Sequence, residues 1–261
     1  MKTSQKIFKV LNPILIVIVL GIAYLAIAYY SMLNYAFKEH PTVAFTPGAE
    51  FFYSRQADAN SEPQTPPFRY VVLGDSTSVG QGAKVQADNY SSQYAQLVLL
   101  KKYPAIKIYN LAVSGAKTKD VLSKQVQAAI ALEPNLIMLS IGANDVTGLT
   151  GAEEFQRNYT MILQQLTRTN AKIVLLNIPA FSTSPLLWEP YRSAAHYQAG
   201  KFNQIIEAIA ATEPSIRVVD IYRGTEPDFR RFPKLNFSQD HFHPSSAGYA
   251  VWTRVIAQTL N

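Results

Sequence analysis

The chain has 261 residues, 48% of them hydrophobic and 16% charged, with a net charge of +6 and no cysteine. This composition suits one sizeable α/β domain with an appendage, and it argues against wholesale disorder. Without cysteine there are no disulfides, thiol nucleophiles or thiolate metal sites, and without a basic run interleaved with aromatics a nucleic-acid partner is not expected.

Lys2, Lys6 and Lys9 lead into a run from Val10 to Phe37 that carries no charge. The run exceeds the ~20 apolar residues that span a bilayer. It predicts a transmembrane helix contacting the membrane through residues 10–37. The leading lysines hold the N-terminus in the cytoplasm, which puts the rest of the chain on the other side. Tyr24, Tyr29, Tyr30 and Tyr35 gather at the far end, where an interfacial belt belongs. A cleaved signal is the rival reading, with Ala26-Ile27-Ala28 as a small-x-small site and a secreted product. The apolar run continues past that site, which favours a retained anchor. A buried core helix is the third reading.

Residues 38–67 read as a connector, rich in Pro, Ala, Ser and polar residues. Its aromatic cluster at 48–53 (GAEFFY) is suited to dock on the domain, and His40 reads as a surface residue.

From Phe68 onward, short apolar runs alternate with amphipathic stretches. Strands are predicted at Tyr70–Leu73, Ile106–Asn110, Asn135–Ile141, Lys172–Ile178 and Arg217–Ile221. Helices are predicted at Ser91–Lys102, Lys119–Leu132, Ala152–Thr169, Tyr191–Ala211 and Ser246–Leu260. The NLIMLSI run is continuous enough for a strand buried on both faces. Such alternation implies a parallel sheet with helices on both sides. Ligands bind such sheets beyond the carboxyl ends of the strands.

The residues just after the strands are therefore the ones that matter. Gly74-Asp75-Ser76 follows the first strand, Ser114-Gly115 the second and Gly142-Ala143-Asn144-Asp145 the third. Asp240-His241-Phe242-His243-Pro244 precedes the last helix. A lone serine after a strand is usually a turn residue, and as a nucleophile it needs an oriented base and oxyanion donors. His243 would take the Ser76 proton and Asp240 would fix the ring. His241 competes for the same role. The donors would be the Ser76 and Gly115 backbone N–H groups and the Asn144 side-chain amide. By spacing alone, Gly115 reads equally as an ordinary turn glycine. Asp145 reads as a brace beneath Asn144. A metal cluster at Asp240, His241 and His243 lacks further ligands nearby. His196 reads as a surface residue.

These blocks resemble the SGNH hydrolases, the GDSL esterase/lipase family. Ser76 in GDS, Gly115 in the second block, Asn144 in GAND and His243 in DHFHP match in order across about residues 69–259. The resemblance implies a flavodoxin-like three-layer α/β/α sandwich, here with a five-stranded parallel sheet. It also implies ester hydrolysis through an acyl-serine in an open cleft, without metal or cofactor.

The organisation expected is an anchor or signal at 1–37, a connector at 38–67 and a hydrolase domain at 68–261. The segment 178–188 (IPAFSTSPLLW) offers Phe181, Leu187 and Trp188 for an acyl pocket. The reading is a serine ester hydrolase acting on a lipid or other small-molecule acyl ester. The alternatives are an O-acetylesterase or O-acyltransferase of envelope glycans, and a binding module with a decayed site.

Overall fold

The computed structural model describes residues 2–36, 38, 48–55 and 66–260. His40 and most of the expected connector lie outside these residues. Short apolar runs beyond Pro66 become β2 (Phe68–Gly74), β4 (Leu136–Ser140) and β5 (Lys172–Leu176). They occupy the middle of one sheet, because side chains on both faces of such strands must be covered. Alternate residues feed two cores. Val71, Leu73, Ile137 and Leu139 face one layer of helices, and Tyr70, Val72, Leu136 and Met138 face the other. The period of two in the strand residues thus produces the three layers.

β3 (Ala105–Asn110) and β6 (Ile216–Val219) extend the parallel sheet on either side. The full order is β1-β3-β2-β4-β5-β6, six strands rather than the expected five. The extra strand, β1 (Ala49–Ser54), lies in the stretch read as connector and pairs antiparallel with β3. Its side chains alternate between half-buried and exposed, the pattern of an edge strand with one covered face. Such a strand is weakly marked in sequence because only three of its residues need to be apolar.

The chain moves from β2 outward to β3, then returns across β2 to β4. β2 and β4 therefore flank the topological switch point, where the connections diverge and leave a crevice above the sheet. Ser76 follows β2 and Asn144 follows β4, so both stand at that crevice.

Among the described residues, the longest helix outside the predicted spans follows β6. Ile221–Arg231 contains Gly224 and Pro227, which read as breakers. Asp220 caps it by accepting the Arg223 N–H at 2.9 Å. Phe229 is buried in the same core as Trp252 of the terminal helix, Ser246–Leu260. Packing and the cap outweigh local propensity here.

The N-terminal helix runs Lys2–Ala36, longer than the apolar stretch that announces it. Its segment Pro13–Tyr35 has a mean hydropathy of 2.4, and only 6% of the apolar window is buried. It is therefore not a core helix. From Pro13 to Ile27 its side chains are exposed. Ala28 is fully buried and Met32 nearly so, against the α/β domain. Tyr24 donates to the Glu189 carbonyl at 2.9 Å, and Tyr191 donates to the Leu25 carbonyl at 3.1 Å. The Trp188 N–H points to the Met32 sulfur at 3.3 Å.

Candidate active site

β2 ends at Gly74, and Asp75 turns the chain. The Asp75 carboxylate accepts from the Thr77 N–H at 3.0 Å and the Thr77 hydroxyl at 2.8 Å, starting a short helix at Ser76. Gln125 clamps the end of the strand from below. Its amide donates to the Gly74 carbonyl and its oxygen accepts the Gly74 N–H, both at 2.9 Å. A side-chain amide thus supplies a strand-like hydrogen-bond pair, which fixes the height of Ser76 above the sheet.

The second part comes from residues 238–244. One oxygen of Asp240 closes this loop by accepting from the Ser238 hydroxyl, the Phe242 N–H and the His243 N–H at 2.7–2.9 Å. The other oxygen lies 2.6 Å from His243 Nδ1. His243 Nε2 lies 2.7 Å from Ser76 Oγ. A gap of two residues between Asp240 and His243 suffices because the same carboxylate both builds the turn and holds the ring. Burial pushes the Asp240 carboxyl up, but the hydrogen bond and charge of His243, with the Ser238 and Phe242 bonds, outweigh it. Asp240 is held well below the usual carboxylate range. An ionised Asp240 makes Nδ1 the protonated nitrogen and leaves Nε2 as acceptor for the Ser76 hydroxyl.

The structure separates the two histidines of the loop. His241 sits in the left-handed region at φ 60°, turns away from Ser76 and stacks on Tyr35 of the N-terminal helix. Gly82 lets the two loops meet. It has φ +92°, and a Cβ there would lie 2.4 Å from the Pro244 carbonyl oxygen and 3.1 Å from His243 Cβ. Nothing in the sequence marks Gly82 or Gln125, because a turn glycine and a helix glutamine carry no signal of their long-range partners.

Gly115 is exposed with φ +80° and open space where a Cβ would stand. Asn144 stands in the first turn of the short helix Ala143–Thr147 after β4 and donates one amide N–H to the Ala116 carbonyl at 3.1 Å. That bond ties the Asn144 loop to the Gly115 loop and leaves the second amide N–H for another acceptor. Beneath them, Asp145 accepts from the Thr118 N–H and hydroxyl at 2.9 and 2.8 Å. Burial pushes the Asp145 carboxyl up against those bonds.

A cleft of about 1140 Å³ opens beside this group. Asn144, Asp240 and His243 line it, with Leu186, Leu187 and Tyr191 farther along. Leu187 is the member of the expected apolar trio that borders it. Phe181 is buried in the core and faces Phe242, with ring centroids 6.0 Å apart. Trp188 lies half-exposed at the contact with the N-terminal helix. His196 is half-buried rather than a surface residue, with its ring stacked on Tyr222. Among the described residues, no three His, Asp or Glu side chains converge as metal ligands.

Comparisons with known proteins agree with this architecture. The model of the GDSL-like Lipase/Acylhydrolase family matches residues 72–251. A GDSL-like esterase of Mycobacterium tuberculosis is 26% identical over 183 residues, covering 69% of this chain but 58% of that protein. The chain thus spans little more than half of that relative. A spore germination lipase of Bacillus licheniformis is 24% identical over 223 residues, covering 72% of this chain and 94% of the lipase. The solved structure of a lipase from a goat rumen metagenome superposes with a TM-score of 0.60 at 21% identity, covering 74% of this chain and 97% of that one.

Proposed function

The chain belongs to the GDSL-like Lipase/Acylhydrolase family, and from that premise we propose that it is a serine ester hydrolase acting on acyl esters at Ser76. The observation that carries this reading is the continuous line Asp240–His243–Ser76, with contacts of 2.6 and 2.7 Å at the edge of an open cleft. In this reading Ser76 Oγ attacks the ester carbonyl carbon while its proton passes to His243 Nε2. The carbonyl electron pair moves onto oxygen, where the Ser76 and Gly115 N–H groups and the Asn144 amide receive it. The intermediate collapses, the carbon–oxygen bond to the alcohol breaks, and His243 returns the proton to the leaving group. Water then repeats the sequence on the acyl-serine. Asp240 holds the tautomer and stabilises the imidazolium between steps.

The proposed organisation follows. Residues 68–261 carry the chemistry, with the N-terminal helix as a membrane anchor that holds the domain outside the cytoplasm. Support for the anchor is the helix's length, hydropathy and exposure. The test is hydrolysis of p-nitrophenyl acetate, butyrate and octanoate by the full chain in detergent, beside Ser76→Ala. The reading expects Ser76-dependent turnover of at least one ester. Equal rates in the two proteins would refute it.

A further inference from the structure

One wall of the cleft comes from outside the α/β domain. Tyr29, Met32 and Leu33, on the last two turns of the N-terminal helix, line the same cavity as Asn144, Asp240 and His243. These turns are fixed in place. Ala28 and Met32 are buried, Met32 receives the Trp188 N–H, and the Tyr35 hydroxyl donates to the Gln239 carbonyl at 2.6 Å.

The length of the helix sets the position of the cleft. The uncharged run begins at Val10, and Ala28 is the first residue buried on the domain. Residues 10–27 rise about 27 Å at 1.5 Å each, close to the ~30 Å of a hydrocarbon core. Crossing the membrane therefore consumes nearly all of the helix before Ala28. The cleft mouth, one turn later, must lie at the bilayer surface.

The rim suits that position. Leu149, at the cleft, is 89% exposed and held at φ 55°, while Tyr197 is 64% exposed. The left-handed backbone of Leu149 carries its strain in any solvent, so only its exposed apolar side chain bears on what covers the rim. Against acyl chains its exposure is no cost.

We infer that the last two turns of the N-terminal helix are a wall of the acyl-binding cleft, and that the cleft takes the acyl chain of an ester lipid from the bilayer the same helix spans. The inference rests on the reading of Ser76 as the esterase nucleophile. The ester carbonyl would sit at Ser76, and the chain would run past Leu186 and Leu187 to Leu33 and out into the membrane. The anchor is then part of the specificity of the enzyme as well as its tether.

The experiment uses the full chain reconstituted in vesicles of phosphatidylethanolamine and phosphatidylglycerol. Wild type should release free fatty acid from the vesicles, and Ser76→Ala should not. With p-nitrophenyl esters, Leu33→Trp should lower the octanoate-to-acetate ratio of kcat/KM by tenfold or more. Leu33→Ala should shift preference toward longer chains. Tyr30 is 70% exposed and does not line the cleft, so Tyr30→Ala should keep the wild-type ratio within twofold. A wild-type ratio in both folded Leu33 variants, or an equal change in Tyr30→Ala, would overturn the wall. Ser76-dependent turnover of p-nitrophenyl esters without fatty-acid release would overturn the lipid occupant and leave the esterase reading standing. No Ser76-dependent turnover of any ester would overturn that reading and the wall with it.

Discussion

The ring of Tyr35 lies stacked on that of His241, with centroids 4.8 Å apart and planes 16° from parallel. The Tyr35 hydroxyl also donates to the Gln239 carbonyl. Both contacts fall on the loop that carries Asp240 and His243. The last turn of the N-terminal helix therefore braces the loop that holds His243 against Ser76. Aromatic pairs and single hydrogen bonds each contribute roughly 1 kcal/mol. Tyr35→Ala should lower kcat about threefold to tenfold with a smaller change in KM, because the loop loses position rather than a substrate contact. Tyr35→Phe keeps the stack but not the hydrogen bond and should recover about half of the loss on a free-energy scale. Steady-state kinetics on one ester decides it, and equal losses in the two variants would contradict the stacking role.

Asn144 has one amide N–H engaged with Ala116 and one to offer. Donors aimed at a developing oxyanion are typically worth ~100- to 1000-fold in turnover. Asn144→Ala should therefore lose kcat on that scale and keep its secondary structure by circular dichroism. A kcat within threefold of wild type would remove Asn144 from the oxyanion site.

Asp75 is buried directly behind Ser76. Burial pushes its carboxyl up to about 6, against the opposing pull of the Thr77 bonds and the charge of His243. In the unfolded chain the same group titrates near ~3.9. A raised carboxyl contributes stability that is complete below the unfolded value and is lost as pH rises through the folded one. Asparagine keeps an acceptor for Thr77 and does not titrate. Thermal melts of Asp75→Asn and wild type should therefore move apart between pH 4 and pH 7.5. The variant should gain relative to wild type as pH rises, by on the order of 3 kcal/mol. An unchanged difference across that range would show that the Asp75 carboxyl does not titrate above the unfolded value.

Much of this architecture was legible in the sequence. The central strands announced themselves because they are buried on both faces and read as unbroken apolar runs. Three of the four blocks that face the crevice were legible because each follows a strand end, and the fourth, at 240–244, because an Asp and a His stand three apart just before the last helix. β1 was not, since an edge strand with one covered face needs few apolar residues and its neighbours read as connector. The helix Ile221–Arg231 was hidden by Gly224 and Pro227, which local propensity treats as breaks and tertiary packing tolerates. The choice between His241 and His243 could not be read from composition, because it depends on which ring the Asp240 turn points inward. Contacts of the N-terminal helix with the cleft were likewise invisible, as they join residues about 160 positions apart.

The central claim is that Ser76 is the group that becomes acylated. The most direct measurement is intact-protein and peptide mass analysis of the full chain after treatment with a p-nitrophenyl alkylphosphonate. The account predicts one phosphonyl group per chain, on the peptide containing Ser76, and none in Ser76→Ala. Labelling on another serine, or hydrolysis that persists in an unlabelled protein, would contradict it.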